Sequence, residues 1–444
     1  MKTLLFIITV LGLCSFGCKK LITIDSPENQ LTTDKVFADT TSATSALLNI
    51  YALFDKTIDP NYNKYMGLYT DEFNYPVAPT NGFATGNLSV SDGTVLNIWK
   101  NNYFVIYSCN DLIQHLQVSG LPSAFKTSSI AEAKFLRAYA YFYLVNSFDH
   151  IPLILTTDVN QNTTAKQSDA TAVYQQIISD LTDAKNGLSE NYSGGEKVRV
   201  NKWAATAMLA RVYLYQKDWT NSALNAGQVI NTGSYSLTVS PSDVFQANSQ
   251  EAILQFWTQY GYITDAQTLI PSSGTPQYPV TPSLLAAFEP GDLRKTDWLN
   301  ASVTNGATLY YPFKYHNRET SAASPEYLMA LRLPEQYLIR AEARANQGDF
   351  AGAVSDVNVI RLRAGLPALT VFTDMKTAMN AIIQEYRVEY FAEWGHRYLD
   401  LKRAGLLNTV MSSNKSTWTT RSQVLPIPQN EITYDSNLVQ NPGY

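Results

Sequence analysis

Apolar positions recur at helical spacing over most of the chain. Ala43, Leu47, Ile50 and Phe54 sit three or four residues apart, which puts them on one helical stripe. Trp99, Tyr103, Ile106, Asn110 and Ile113 follow the same rule. So do Ala133, Leu136, Ala140 and Leu144, and then Tyr174, Ile177, Leu181, Ala184 and Leu188. Each stripe predicts an amphipathic helix with one face packed on a neighbour.

Two stretches resemble each other at a shift of 131 residues. That shift lays Ala210 on Ala341, Asp218 on Asp349, Ser222 on Ala353 and Ala226 on Val357. Small residues at those offsets let two antiparallel helices approach closely, with an Asp-aromatic pair at the turn. This is the geometry of tetratricopeptide-like helical hairpins. They are predicted around residues 130–230 and 333–405, with residues 130–148 opening a third unit.

Two segments break the helical pattern. Residues 58–98 are rich in Asn, Gly, Pro and Thr, and residues 231–320 mix turn signals with β-like runs such as Ala252, Ile253, Leu254, Gln255, Phe256 and Trp257. Long excursions inside a compact domain are usually functional or disordered. Their many aromatics argue against disorder. The predicted fold is mostly α, with helical hairpins, long irregular excursions and a few short strands.

The chain has 444 residues, 45% hydrophobic and 16% charged, with a formal charge of -5 and no basic tract. Nucleic acid is therefore not an expected partner. Lys2, an apolar run over residues 4–13 and Cys18 form an N-terminal signal. The run is about half of a membrane span. Residues 1–17 are expected to be a signal peptide, with acylation of Cys18 and a tether over residues 18–35. Ser15 and Phe16 depart from the usual residues before such a cysteine. Residues 36–444 are expected to form one domain, and Cys109, inside an apolar helical pattern, is expected to be a buried, inert thiol.

Signals for catalysis are weak. The four His, at 115, 150, 316 and 396, form no metal-binding motif. Glu393 and His396 make one i,i+3 pair where a di-iron bundle needs two, so an exposed polar pair is the simpler expectation. Asp71 and Glu72, or Glu385, Glu389 and Glu393, supply carboxylates of the kind a glycosidase uses. Adjacent residues often diverge, however, and a Glu ladder is usually a solvated or ion-paired face. No nucleotide or hydrolase fingerprint occurs. No metal or cofactor is expected.

The closing third resembles the SusD/RagB family. Residues 333–348 carry Pro334, Glu335, Tyr337, Leu338, Ala341, Glu342 and Gly348 at that family's spacing. Residues 384–405 carry Glu385, Arg387, Glu389, Arg397, Asp400 and Arg403. Residues 425–432 and 440–444 are close to its terminal signature, and residues 135–145 and the Trp99 helix also fit. Phe148, Asp149 and His150 depart from its usual Phe-Gly-Asp turn. These motifs read as structural: Glu385, Arg387, Glu389 and Arg397 in ion pairs on and between helices, inward packing by Trp394, Tyr398 and Leu401, and a close approach or bend at Gly395.

The resemblance implies a non-catalytic lipoprotein on the outer leaflet of the outer membrane. It also implies a partner, a SusC-like TonB-dependent β-barrel transporter, and capture of oligosaccharide or, in some members, peptide. Aromatic rings stack on apolar sugar faces while polar side chains bond hydroxyls. On that basis Tyr75, Phe83, Trp257 and Tyr311 are expected to stack on the ligand, and Asp71, Asn74 and Asn81 to hydrogen-bond it. A peptide ligand and a glycosidase using Asp71 or Glu72 are the rival readings.

Overall fold

The computed structural model describes residues 33–54, 59–237, 240–320 and 324–444. The signal segment, Cys18 and nearly all of the tether lie outside the described residues. Twelve helices of eight residues or more supply nearly half of the described residues. They are α1 (Thr40–Leu53), α2 (Asp59–Tyr69), α3 (Gly93–Val118), α4 (Ser123–Phe148), α5 (Ala170–Gly187), α6 (Lys202–Tyr215), α7 (Trp219–Ile230), α8 (Leu333–Asn346), α9 (Phe350–Arg363), α10 (Met375–Tyr390), α11 (His396–Arg403) and α12 (Leu407–Asn414). Among the described residues, no helix is long and apolar enough to cross a membrane.

The two segments related by the 131-residue shift fold as the same hairpin. Helix α6 packs on α7, and α8 on α9. Ala210, Ser222 and Ala226 are fully buried at the first contact, and Ala341, Ala353 and Val357 at the second. Asp218 and Asp349 cap the second helix of each pair, accepting from the amides of Asn221 (3.0 Å) and Gly352 (2.8 Å). Their backbones nearly superpose, at φ -83, ψ 77 and φ -83, ψ 72. The third unit pairs α4 with α5, joined by a longer excursion that holds the two-residue strands β1 (Ile151–Pro152) and β2 (Gln167–Ser168).

Four further strands lie in the second excursion and just beyond it. Strand β3 (Ala252–Phe256), the expected β-like run, pairs antiparallel with β6 (Leu328–Arg332), which leads straight into α8. Strands β4 (Leu299–Thr304) and β5 (Ala307–Pro312) form a hairpin. Its turn residues Asn305 and Gly306 both have positive φ, 51 and 79, the two-residue geometry that matches strand twist. One continuous apolar core runs from Ala43 to Leu438, with smaller clusters inside the α6–α7 and α8–α10 stacks.

Helix α2 falls in a segment where no sustained period was expected. Its stripe is Tyr62, Met66 and Tyr69, all buried, but Pro60 and Asn61 before it and Asn63 and Gly67 within it are poor helix formers. Tertiary packing of the stripe overrides local preference here.

Glu393 and His396 are buried rather than exposed. Glu393 is paired with Lys314 (2.6 Å) and Arg332 (2.8 Å), while His396 lies 3.5 Å from Asp400. Gly395 between them has φ 65, and a Cβ there would crowd Met66 at 3.0 Å and Tyr62 at 3.1 Å. The bend therefore needs glycine both for its conformation and for its space.

Candidate functional site

The two excursions meet in space. Phe73 and Val280 form an antiparallel bridge. The Asn74 amide donates to the Pro279 carbonyl at 2.8 Å, and the Thr281 amide to the Glu72 carbonyl at 2.9 Å. The Thr281 hydroxyl adds a bond to the Asp71 carbonyl at 2.6 Å. This zipper is framed by the end of α2 and, from the far C-terminal third, by α12. Between them opens a cleft of about 770 Å³ whose walls include Asn74, Tyr75, Thr275, Ser283, Asn414 and Lys415.

Tyr75 supplies the aromatic wall. Its ring is half-buried and lies 4.9 Å from that of Tyr278, inclined by 37°. Gln277 donates to the Tyr75 hydroxyl at 3.2 Å. Backing on one side and a tether at the tip fix the ring with one face toward the cleft. Lys415 supplies a positive end. Its ammonium donates to the carbonyls of Leu68 (2.5 Å) and Ala84 (2.6 Å), and burial pushes its pKa down to about 8.

Asp71 lines the cleft but is committed elsewhere. Arg397 grips both of its oxygens, at 2.8 and 3.0 Å, and Arg387 adds a contact at 2.8 Å. Burial alone would raise its pKa. Arg397, and then Arg387, overcome that and hold the carboxyl below its usual range. The same Arg387 bonds the Ser283 hydroxyl at 2.7 Å, so the ion pair also fixes that wall. Glu72 is buried outside the cleft lining. Burial, aided by the charge of Asp71, raises its pKa to about 7.

The structure thus brings Asp71, Asn74 and Tyr75 to one cleft and places the other expected residues elsewhere. Phe83 is 0% exposed and packs on Tyr65 and Tyr69 at 4.9 and 5.7 Å, so it is core with no face for a ligand. Asn81 is the N-cap of the short helix Gly82–Thr85, accepting from the Phe83 amide at 3.0 Å. Tyr311 is only 7% exposed, with its ring against Phe313. Trp257 is 51% exposed at the end of β3, beside Tyr327 and outside the cleft. Tyr278 stands among the aromatics of the second excursion without being singled out for the ligand, whereas Asn414 and Lys415 carried no local signal, because their position depends on contacts between segments far apart in sequence. Among the described residues, no group of three or more His, Cys, Asp or Glu is arranged to hold a metal ion.

The four charged residues of the C-terminal motif are ion-paired in two groups: Arg387 and Arg397 hold Asp71, while Glu385 and Glu389 lie in a buried network beneath this region. Glu389 is bonded by Arg294 at 2.9 Å and also by Arg332 and Arg363. Glu385 pairs with Arg294 at 2.6 Å. The Arg332 guanidinium lies 3.8 Å from the centre of the Tyr390 ring. The motif is therefore a structural clamp between β6, α9 and α10.

Two family descriptions match the chain: "Starch-binding associating with outer membrane" over residues 26–214 and "SusD family" over residues 292–444. A SusD-like protein P2 of Formosa agariphila is 28% identical, covering 82% of this chain and 83% of that protein. The starch-binding protein SusD of Bacteroides thetaiotaomicron is 24% identical, over 74% of this chain and 75% of that one. Among solved structures, a laminarin-binding SusD-like protein superposes with a TM-score of 0.78 at 25% identity, covering 91% of this chain and 99% of the other. A SusD superfamily protein of Bacteroides vulgatus gives 0.80 at 20% identity, covering 92% and 100%. With these matches, and with the motifs of its last third packed as hairpin and ion-pair clamp, the chain belongs to the SusD/RagB family.

Proposed function

We propose that this protein captures oligosaccharide at the cell surface, in the cleft between residues 71–75 and 275–283, without catalysing a reaction on it. The observation that carries the reading is a braced tyrosine face, Tyr75 on Tyr278, set in a wall of amide, hydroxyl and ammonium groups. A sugar ring offers an apolar face to such an aromatic and hydroxyls to Asn74 and Asn414, while Lys415, donating to the carbonyls of Leu68, Phe83 and Ala84, holds that end of the wall in place. Relatives named for binding starch and laminarin support a sugar as the ligand class. Asp71, pinned by two arginines, shapes the wall and leaves ligand contact to Asn74 and Tyr75.

Acylated Cys18 anchors the protein to the outer leaflet of the outer membrane, and a SusC-like TonB-dependent barrel receives the captured sugar. Several acyl chains are needed for stable anchoring, since one alone binds membranes only weakly. Titration of laminarin and starch oligosaccharides into wild type and Tyr75→Ala tests the cleft. The variant should bind roughly tenfold more weakly, the loss of about 1.4 kcal/mol of stacking. Equal affinities would place the site elsewhere. Radiolabelled palmitate should enter the wild type and not Cys18→Ala, and the barrel should co-purify with the former.

A further inference from the structure

A second aromatic groove lies on other elements and shares no lining residue with the cleft. Trp99, Tyr103 and Tyr107 stand four residues apart on α3 and so line one stripe of it. Helix α3 forms one wall, the excursion after α4 contributes Val159 and Asn162, and the C-terminal segment contributes Glu431 and Tyr434. The space is about 350 Å³, within the usual range for small-ligand sites.

Its two outer rings are uncommitted to the core. Tyr107 is 43% exposed and Tyr434 83% exposed, while Trp99 forms a buried floor. Tyr103 is fixed by donating to the Pro152 carbonyl at 2.8 Å. Exposed aromatics that flank a concave surface stand out, because large apolar side chains are otherwise mostly withdrawn from water.

The polar groups narrow the ligand. Glu431 and Asp435 are both in the lining, and no Lys or Arg is. Glu431 is partly buried against the Trp99 indole, and that burial raises its pKa. A purely apolar occupant would strip remaining water from this carboxylate and give nothing back. An anionic occupant would meet two carboxylates in the lining, while the nearby cation, Lys100, lies outside it and already acts on Glu431. A neutral ring with an apolar face and several hydroxyl donors satisfies both walls.

We propose that this groove is a second saccharide site, for an uncharged sugar ring stacked between Tyr107 and Tyr434 and donating hydroxyls to Glu431 and Asp435. It rests on the reading of the protein as a glycan binder. Two weak sites on one chain raise its hold on a polymer through effective concentration, with no need for either to be tight.

Calorimetry on the full chain in detergent separates the possibilities, using laminarihexaose, maltohexaose and trigalacturonate, with wild type, Tyr75→Ala and the double variant Tyr107→Ala/Tyr434→Ala. Both replaced groove tyrosines are exposed, so the fold is not at stake. The expected result is two neutral hexaoses per wild-type chain, one per chain in either variant, and no trigalacturonate in the groove. Laminarin or soluble starch should also retard the wild type in a native gel more than either variant. Wild-type stoichiometry and affinity in the double variant would overturn the second site and leave the cleft standing. Binding that survives Tyr75→Ala but not the double variant would keep the groove and remove the cleft. Trigalacturonate bound in the groove as well as the hexaoses would overturn the assignment to uncharged sugars. A wild type that holds none of the hexaoses or polymers would end both readings.

Discussion

Lys217 and Gly348 occupy the same place in two copies of one hairpin, and both have left-handed backbones, with φ 57 and 83. Each precedes the capping aspartate, Asp218 or Asp349, whose conformations nearly coincide. The turn therefore demands positive φ, and one copy meets the demand with glycine while the other strains a lysine.

Lys217→Gly should relieve that strain. A side chain in the left-handed region costs about 1–2 kcal/mol, partly offset by about 0.4–1 kcal/mol of added freedom in the unfolded chain. The expected net gain is roughly half to 1 kcal/mol, seen as a higher urea midpoint with an unchanged slope. Gly348→Lys should move the midpoint the other way.

Glu389 is the hub of the buried clamp, holding Arg294, Arg332 and Arg363 together. Burial favours its neutral form, but Arg363, Arg332 and Arg294 together hold it well below the usual carboxylate range. Glu389→Leu removes the carboxylate that the three arginines share, yet Arg294 keeps Asp292 and Glu385, Arg332 keeps Glu393, and Arg363 keeps Glu251 at 3.5 Å. Loss of one partner in a buried pair costs about 3–5 kcal/mol, so equilibrium unfolding should show a clear loss of no more than that. A midpoint within error of wild type would mean that water reaches the network.

The parts of this architecture that were legible in the sequence are those set by local period. The stripes through Leu47, Ile106, Leu136 and Ile177 name buried faces correctly, and the alignment of Asp218 with Asp349 locates two equivalent turns. Helix α2 was hidden because its stripe is carried by Tyr62, Met66 and Tyr69 among poor helix formers, so only packing reveals it. The candidate cleft was half legible. Its residues on the first excursion stand out by composition, whereas Ser283 reaches it through the bridge of Phe73 with Val280 and Lys415 through its bonds to the Leu68 and Ala84 carbonyls. Phe83 illustrates the opposite error, since an aromatic in a loop-like segment serves the core as readily as a ligand.

Glu72 makes stability depend on pH in a defined window. Its pKa rises from 4.5 to about 7 on folding, because burial and the neighbouring Asp71 disfavour its charge. Between those values the folded chain holds a proton that the unfolded chain releases. The contribution of this group is therefore complete below about pH 4.5 and is lost as pH climbs through 7. Glu72→Gln removes the dependence and should be more stable than wild type at pH 8, by at most about 3 kcal/mol. The two should converge at pH 4. Melting curves across that range check it, and a constant gap between the proteins would assign the effect to packing.

Cys109 tests how firmly the core is closed. It is fully buried and free of any disulfide, and burial pushes its thiol pKa up, away from the reactive thiolate. In Cys18→Ala protein from which residues 1–17 have been removed, it should react with an aromatic disulfide reagent only as fast as the chain unfolds. The rate should rise in step with urea-induced loss of helix. Rapid labelling in native buffer would mean that α3 opens locally from its neighbours.

Gly67 links helix α2 to the cleft. Its carbonyl accepts from the Phe73 amide at 3.1 Å, and a Cβ at this position would lie 2.3 Å from the Phe73 ring. On propensity alone Gly67→Ala should stabilise the helix by about 1 kcal/mol. The clash forces the buried Phe73 ring outward, however, and overpacking of that kind costs about 1–3 kcal/mol. Because Phe73 is the residue that bridges to Val280, the displacement passes into the wall formed by Asn74 and Tyr75. The variant should thus melt lower than wild type and bind laminarihexaose more weakly. Gly93→Ala, at the start of α3 where a Cβ meets nothing within 4 Å, should leave binding unchanged and melt no lower than wild type. If Gly67→Ala instead matched wild type in melting and in binding, the Phe73 contact would not be what holds the two excursions in register.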